Sequence, residues 1–299
     1  TTAVRPFYVT TPIYYVNDKP HIGTAYSTIA ADVLARYKKL RGHPTRFLTG
    51  VDEHGQKLER RSKEEGLPPQ DFVDRMAPPF RTAWEELGCL HDDFIRTTEP
   101  RHKARVQEMW KRALATGDIY LGEYEGWYCN GCEAFKIESE LVEGKCPDHL
   151  TLAPVWLKEK NWFFRLSRFQ NFLLEHYEKH PEFISPEERK NELLAHIRGG
   201  LRDLSMSRES ATWGIPVPGD PAHVMYVWLD ALTNYMSAVG YPDTGSVAFR
   251  TFWPASMHVV GKDILRFHAV YWPAFLMAAD LPPPKRVFAH GWWTNEGQK

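Results

Sequence analysis

Phe7-Tyr8-Val9-Thr10-Thr11-Pro12-Ile13-Tyr14-Tyr15-Val16-Asn17 leads into Pro20-His21-Ile22-Gly23-Thr24, and this stretch decides the fold. Residues 6–11 are β-rich and alternate, so they read as a strand that Pro12 closes. Beyond the His-x-Gly turn, Ile22, Tyr26, Ile29, Ala30, Val33, Leu34 and Tyr37 recur at helical spacing until Gly42 and Pro44 stop them. Phe47-Leu48-Thr49-Gly50 is a second strand, running out at Val51-Asp52-Glu53-His54-Gly55. Strand, helix, strand with short links is a βαβ unit, which predicts a parallel sheet. Such a turn offers a phosphate a helix N-terminus beside a cationic side chain, and Gly23 lets the backbone come close.

Outward from this unit, residues 57–66 and 70–88 read as helices and Asp93 to Thr97 as a short strand. Residues 101–116 form a basic amphipathic helix that Gly117 ends. The texture changes near residue 118, where Tyr120, Tyr124, Trp127 and Tyr128 alternate with Gly and Glu. Residues 155–166 read as strand, and 168–179 and 187–198 as helices. From Val224 the α/β texture returns: Val224 to Leu229 as a buried strand, 230–239 as a helix, Met257 to Val260 as a strand, 263–279 as a helix and Arg286 to Ala289 as a last strand. Pro282-Pro283-Pro284 is a rigid connector. The expected fold is a Rossmann-like doubly wound parallel sheet built from residues 1–118 and 222–299, interrupted by an insertion over 119–221.

The 299 residues and 43% hydrophobic content allow a substantial core. With a net charge of -1, any RNA contact must come from a local basic face. Arg36, Lys38, Lys39 and Arg41, and the basic residues from Arg101 to Arg112, read as solvated helix faces. The absence of 18 consecutive apolar residues predicts no membrane span. Arg5 to Thr10 reads as strand rather than signal peptide, so a cytoplasmic enzyme is expected.

Three of the four cysteines cluster: Cys129-x2-Cys132, thirteen residues, Cys146-x2-His149. Each pair places two ligands on one tight turn, and two such turns close a tetrahedron around Zn2+. Four protein ligands leave no open position, so the expected metal is structural. Cys89 lies apart as an ordinary core thiol.

His21-Ile22-Gly23-Thr24 resembles the HIGH motif of class I aminoacyl-tRNA synthetases. The stretch from Thr10 to Gly23 is similar to the opening of methionyl-tRNA synthetases. So are Leu48 to Gly55, Trp213-Gly214-Ile215-Pro216-Val217-Pro218, Val227 to Leu232, and Gly261-Lys262-Asp263-Ile264-Leu265-Arg266-Phe267-His268. The likeness covers about residues 6 to 299. It implies activation of L-methionine with ATP and Mg2+ to methionyl-adenylate, then transfer to the acceptor end of tRNA(Met), with no membrane or DNA partner.

By that resemblance His21, Thr24 and Lys299 serve catalysis, and His21, Gly23, Thr24, Gly261, Lys262 and Asp263 bind ATP. Asp52, at the carboxyl edge of the sheet, suits the substrate ammonium. Asp263 suits the ribose hydroxyls or serves as an N-cap, and Lys262 faces phosphate or solvent. Ile13, Tyr15, Trp228, Ala231, Leu232, Tyr235, Ile264 and His268 line the amino-acid pocket, with Tyr15 and His268 offering polar contacts to the sulfur. Read without the family, these aromatics are core.

Two departures stand out. Thr24 occupies the position where the family motif ends in His, and a hydroxyl offers one uncharged hydrogen bond to phosphate. Lys299 would open the family's Lys-Met-Ser-Lys-Ser loop, so the chain reads as a catalytic-domain fragment. The alternatives are another class I synthetase for an aliphatic amino acid and a non-catalytic RNA-binding paralogue. The roughly hundred-residue insertion argues against the first, because those enzymes usually carry a larger editing domain there. Asp52, Asp263 and the pocket aromatics argue against the second.

Overall fold

β1 (Phe7–Tyr15) does not stop at Pro12. Its register against the next strand shifts between Thr10 and Ile13, and such an irregularity tolerates a residue without an N–H. The computed structural model describes residues 4–132, 134–151, 153–209 and 211–294. After β1 come α1 (Ile22–Leu40), β2 (Thr45–Asp52), α2 (Gln56–Glu64), α3 (Pro69–Met76), α4 (Pro78–Glu86), β3 (Asp93–Arg96) and α5 (Pro100–Ala115). Pro78 splits the helix expected over 70–88 into α3 and α4.

The insertion holds β4 (Ile119–Cys129), β5 (Ala134–Lys136), β6 (Val155–Phe164), α6 (Gln170–Lys179), β7 (Ile184–Ser185), α7 (Glu187–Arg198), β8 (Leu204–Ser205), β9 (Ser207–Arg208) and β10 (Pro216–Val217), and β11 (Asp220–Met225) begins in it and runs past its expected end. The chain continues through α8 (Val227–Ser237), α9 (Val247–Phe252), β12 (Met257–Gly261), α10 (Trp272–Ala278) and β13 (Val287–His290).

The main sheet has six strands in the order β3-β2-β1-β12-β13-β7, every pairing parallel. Neighbouring residues in its strands point to opposite faces. Val9, Phe47 and Val259 pack with Ala31 and Ala35 of α1 on one face. Tyr8, Leu48 and Val260 pack with Trp110 of α5, Tyr235 of α8 and Trp272 of α10 on the other. Helices on both faces make the sheet doubly wound. The first five strands of this order come from the flanks of the insertion, but the edge strand β7 comes from within residues 119–221. The rest of the insertion is antiparallel: one sheet ordered β5-β4-β6-β8 and one ordered β10-β11-β9.

Three expectations change. The strand expected over Val224 to Leu229 ends at Met225, and Val227 already opens α8. The apolar run is shared between the end of β11 and the start of α8, a helix buried on all sides from Leu229 to Ser237. The helix expected over 263–279 opens with a 3-10 turn (Lys262–Ile264) and passes through a π turn (Phe267–Tyr271) before α10. The apolar residues that revealed α1 are also not its buried face. Ile22, Tyr26, Ile29, Val33 and Tyr37 are exposed. Ser27, Thr28, Ala31, Asp32 and Ala35 are buried, because small side chains let the helix lie close on the strands.

Candidate active site

β1, β2, β12 and β13 end side by side at Tyr15, Asp52, Gly261 and His290. Chain connections diverge from the β1–β12 boundary, and ligands of such sheets bind outside the carboxyl ends at that point. A solvent-open cleft of about 730 Å³ lies there. Small-molecule and cofactor sites run to about 300–1,000 Å³, so the cleft is in the upper part of that range.

His21 is the N-cap of α1, with φ -137° and ψ 175°. Its Nδ1 accepts from the Gly23 amide at 3.1 Å. That bond places the imidazole proton on Nε2, leaving an N–H donor on the outer edge of the ring. A Cβ on Gly23 would stand 3.0 Å from His21 Cε1, so glycine makes room for the folded-back ring. Thr24 Oγ1 donates to the His21 carbonyl at 2.7 Å and accepts from the His21 amide at 3.0 Å. The Thr24 proton is therefore engaged in the helix cap, which corrects its reading as a phosphate donor.

Asp52 is buried and lies opposite Tyr15 in the β1–β2 register. Lys57 Nζ stands 5.9 Å from the Tyr15 ring centre, and all three residues line the cleft. On the other wall, Asp263 Oδ1 would sit 2.6 Å from a Cβ on Gly261, so only glycine permits that approach. Trp292 Nε1 donates to the same oxygen at 3.1 Å. Lys262 Nζ lies 4.2 Å from the Trp292 ring centre, so this cation rests on an aromatic face.

Of the residues expected in the amino-acid pocket, Ile13, Tyr15, Asp52, Trp228 and Ile264 line the cleft. Ala231, Leu232, Tyr235 and His268 are buried away from its lining. Trp228 stacks on Phe267 with ring centres 3.7 Å apart and planes 4° from parallel. His268 Nδ1 bonds the Ile264 carbonyl at 2.9 Å, which makes it the donor and leaves Nε2 to accept from Tyr235 Oη at 2.6 Å. Burial pulls the His268 pKa down from 6.5 to about 4, so the ring is neutral at pH 7. With both nitrogens committed, His268 offers no donor to a substrate sulfur, contrary to expectation. Lys299 lies outside the described residues.

Cys129, Cys132, Cys146 and His149 converge, with their ligand atoms all within 4.8 Å of one another. Cys132 Sγ lies 3.5 Å from Cys146 Sγ and 3.2 Å from His149 Nδ1. Zn–S bonds of about 2.3 Å imply tetrahedral edges of about 3.8 Å, so this set can hold such an ion. Gly131 and Cys132 also line the main cleft. The metal turn is thus a wall of the site as well as a clip within the insertion.

Sequence reasoning passed over Ser27, His290, Trp292 and Arg208. Ser27 Oγ lies 2.6 Å from His290 Nε2 across 263 residues of sequence. Arg208 is buried, its guanidinium 5.4 Å and 5.1 Å from the Tyr128 and Tyr226 ring centres. Arg208 ends the two-residue strand β9 in a polar stretch, so the sequence carries no mark of its burial.

The family described as tRNA synthetases class I (M) matches residues 7–153 and 149–299. A methionine–tRNA ligase from Rickettsia bellii is 55% identical over 298 residues, covering 98% of this chain and 57% of that protein. The corresponding ligase from Thermosynechococcus vestitus is 52% identical over 297 residues, covering 98% of this chain and 56% of its own length. The chain thus spans a little over half the length of these curated relatives. Mycobacterium tuberculosis methionyl-tRNA synthetase in complex with methionyl-adenylate superposes with a TM-score of 0.93 at 48% identity, covering 96% of this chain and 57% of that one. The free form of that enzyme gives 0.80 at 46% identity, covering 97% and 56%. A parallel sheet with a His-capped helix at its switch point, matched to one family along its length, makes this chain a member of the class I (M) tRNA synthetases.

Proposed function

We propose that this chain is the catalytic part of a methionine–tRNA ligase, which activates L-methionine with ATP and transfers it to tRNA(Met) in the cytoplasm. The observation that carries this reading is its close likeness to a relative solved with methionyl-adenylate, along a cleft holding His21, Asp52, Trp228 and Asp263.

A methionine carboxylate oxygen bonds to the α-phosphorus of ATP. The bond from that phosphorus to the bridging oxygen breaks, and pyrophosphate leaves. The 3′-terminal hydroxyl of tRNA then attacks the adenylate carbonyl, and AMP leaves. Catalysis of the first step is mostly positioning and charge stabilisation. Asp52 holds the ammonium, and Ile13, Tyr15, Trp228 and Ile264 receive the side chain. Ala231, Leu232, Tyr235 and His268 support that wall from behind. His21 Nε2–H and the N-terminus of α1 face the phosphates, with Gly23, Gly261 and Lys262 shaping their path and Thr24 holding His21. Asp263 reads the ribose, and Lys299, outside the described residues, takes the catalytic part that the family likeness gives it. Mg2+ bound to ATP would screen the phosphate charge. Zn2+ on Cys129, Cys132, Cys146 and His149 would hold the turn that walls the cleft.

Pyrophosphate exchange with a panel of amino acids, run on the complete polypeptide, tests the proposal. Methionine should support exchange far above isoleucine, leucine and valine. Asp52→Ala should abolish it with the fold intact, since losing one partner of a buried charge pair costs about 3–5 kcal/mol. Exchange driven equally by other aliphatic amino acids, or no exchange at all, would refute it.

A further inference from the structure

Asp52 ends β2, and two residues on the side chain of His54 turns inward and is 2% exposed. Its Nδ1 meets Asp230 Oδ2 at 2.6 Å. The other oxygen of Asp230 meets His102 Nε2 at 2.7 Å, and His102 Nδ1 meets Ser237 Oγ at 3.0 Å. Asp230 sits on α8, two residues beyond Trp228, and His102 sits on α5. One buried carboxylate therefore joins the Asp52 loop, the helix that carries Trp228, and α5.

Burial alone would raise the Asp230 carboxyl. The pull of His54 and hydrogen bonds from both imidazoles outweigh it and hold the group at about 2, so Asp230 is ionised. Apolar residues of similar volume would stabilise such a place as well or better, so stability alone does not account for the network. Its directional bonds fix distances instead. His54 Nε2 has no hydrogen-bond partner among the described residues, so Asp230 makes the ring's only hydrogen bond recorded there. The Trp213 ring packs edge-on against it, with centres 5.4 Å apart. Trp213 Nε1 also bonds the Glu53 carbonyl at 2.6 Å, holding the same loop from outside.

We infer that His54 and Asp230 are positioning residues that set the spacing between the Asp52 carboxylate, which receives the substrate ammonium, and the Trp228 wall, which receives its side chain. The inference rests on the methionine activation proposed above. Neither residue touches the substrate; both act through the loop and through α8. Methionine, gripped at two ends, should feel the change of spacing, while ATP, bound mainly by α1 and the turn after β12, should not.

The test is steady-state exchange kinetics in the complete polypeptide for His54→Ala, His54→Asn, His102→Ala and His102→Gln, with melting temperature measured for each. Asn keeps a donor near the place of Nδ1, and Gln keeps one near Nε2. His54→Ala is expected to raise the KM for methionine about tenfold, the scale of one hydrogen bond to a charged group, with the KM for ATP within about twofold. His54→Asn should restore most of the loss. His102→Ala should act in the same direction more weakly, and His102→Gln should restore it. If His54→Ala does not fold, the His102 pair decides. Unchanged methionine KM in the alanine variants, or both KM values rising together without rescue, would overturn the inference. A parent protein that shows no methionine exchange would instead overturn the proposed function.

Discussion

Thr24 Oγ1 bonds the carbonyl and the amide of His21 at 2.7 Å and 3.0 Å, so the motif's fourth residue fastens its first. The hydroxyl thereby supports the helix whose N-terminus meets the cleft. It also acts on the neighbouring imidazole, whose Nδ1 takes the Gly23 amide only while His21 holds its extended backbone.

Thr24→Val keeps the shape and removes both bonds. Loss of a cap costs about 1 kcal/mol. In a chain of this size the melting temperature should fall by about 2–4 °C, and exchange should slow as His21 loses its anchor. Thr24→Ser should be near neutral on both measures. A valine variant with parental stability and parental exchange would show that the cap holds neither the helix nor His21.

Gly131 faces His149 so closely that an added Cβ would lie 2.3 Å from its Cδ2. Gly131→Ala should therefore push a ligand out of the metal set, even though the residue binds nothing itself. Metal content by elemental analysis should fall well below one per chain. Because Gly131 and Cys132 line the cleft, the KM for methionine should rise as metal is lost. Full metal content in the alanine variant would mean that His149 moves aside at little cost.

The central sheet was legible because strand, turn and helix each leave a local mark, as in the run from Phe7 to Tyr37. The buried face of α1 was not. Periodicity picks out large apolar residues, whereas close packing on the strands selected Ala31 and Ala35. The run from Val224 to Leu229 misled because an apolar stretch has the same pattern in a buried strand and a buried helix. β7 has two residues and no period to detect. In the site, His21, Asp52 and Asp263 sit at chain ends of elements, where sequence marks are strong. Partners such as Asp230 with His54 are 176 residues apart, and only the fold brings them together.

Buried neutral histidines give stability a pH dependence. Burial holds His268 at about 4 against an ordinary 6.5 and pulls His258 well below its ordinary value. Between about pH 6.5 and pH 4 the unfolded chain binds protons that the folded one does not. Their contribution is therefore complete above pH 6.5 and is lost as pH falls through that window. Asp230, held at about 2 against 3.8, adds its own loss only below about pH 3.8. Urea midpoints should drop from pH 7.5 to pH 5, and the slope should be shallower in His268→Gln. An equal slope in parent and variant would mean that His268 gains its proton without unfolding.

Selectivity against norleucine is the sharpest test of the amino-acid pocket. Norleucine replaces the sulfur of methionine with a methylene, and an apolar pocket separates such neighbours by only about 1–3 kcal/mol. His268 gives Nδ1–H to the Ile264 carbonyl and accepts from Tyr235 at Nε2, so it has no bond left for sulfur. Tyr15 lines the cleft and is the other residue there with a polar group to offer the sulfur. Thioether sulfur is a weak acceptor, so its contribution is small. Tyr15→Phe should narrow the methionine-to-norleucine ratio in exchange assays. His268→Ala should lower activity on both amino acids and leave the ratio unchanged, because it removes the support behind Trp228 rather than a contact to sulfur. The opposite pattern, a ratio that narrows with His268→Ala alone, would mean that the imidazole breaks its bond to Tyr235 and turns to the substrate when methionine binds.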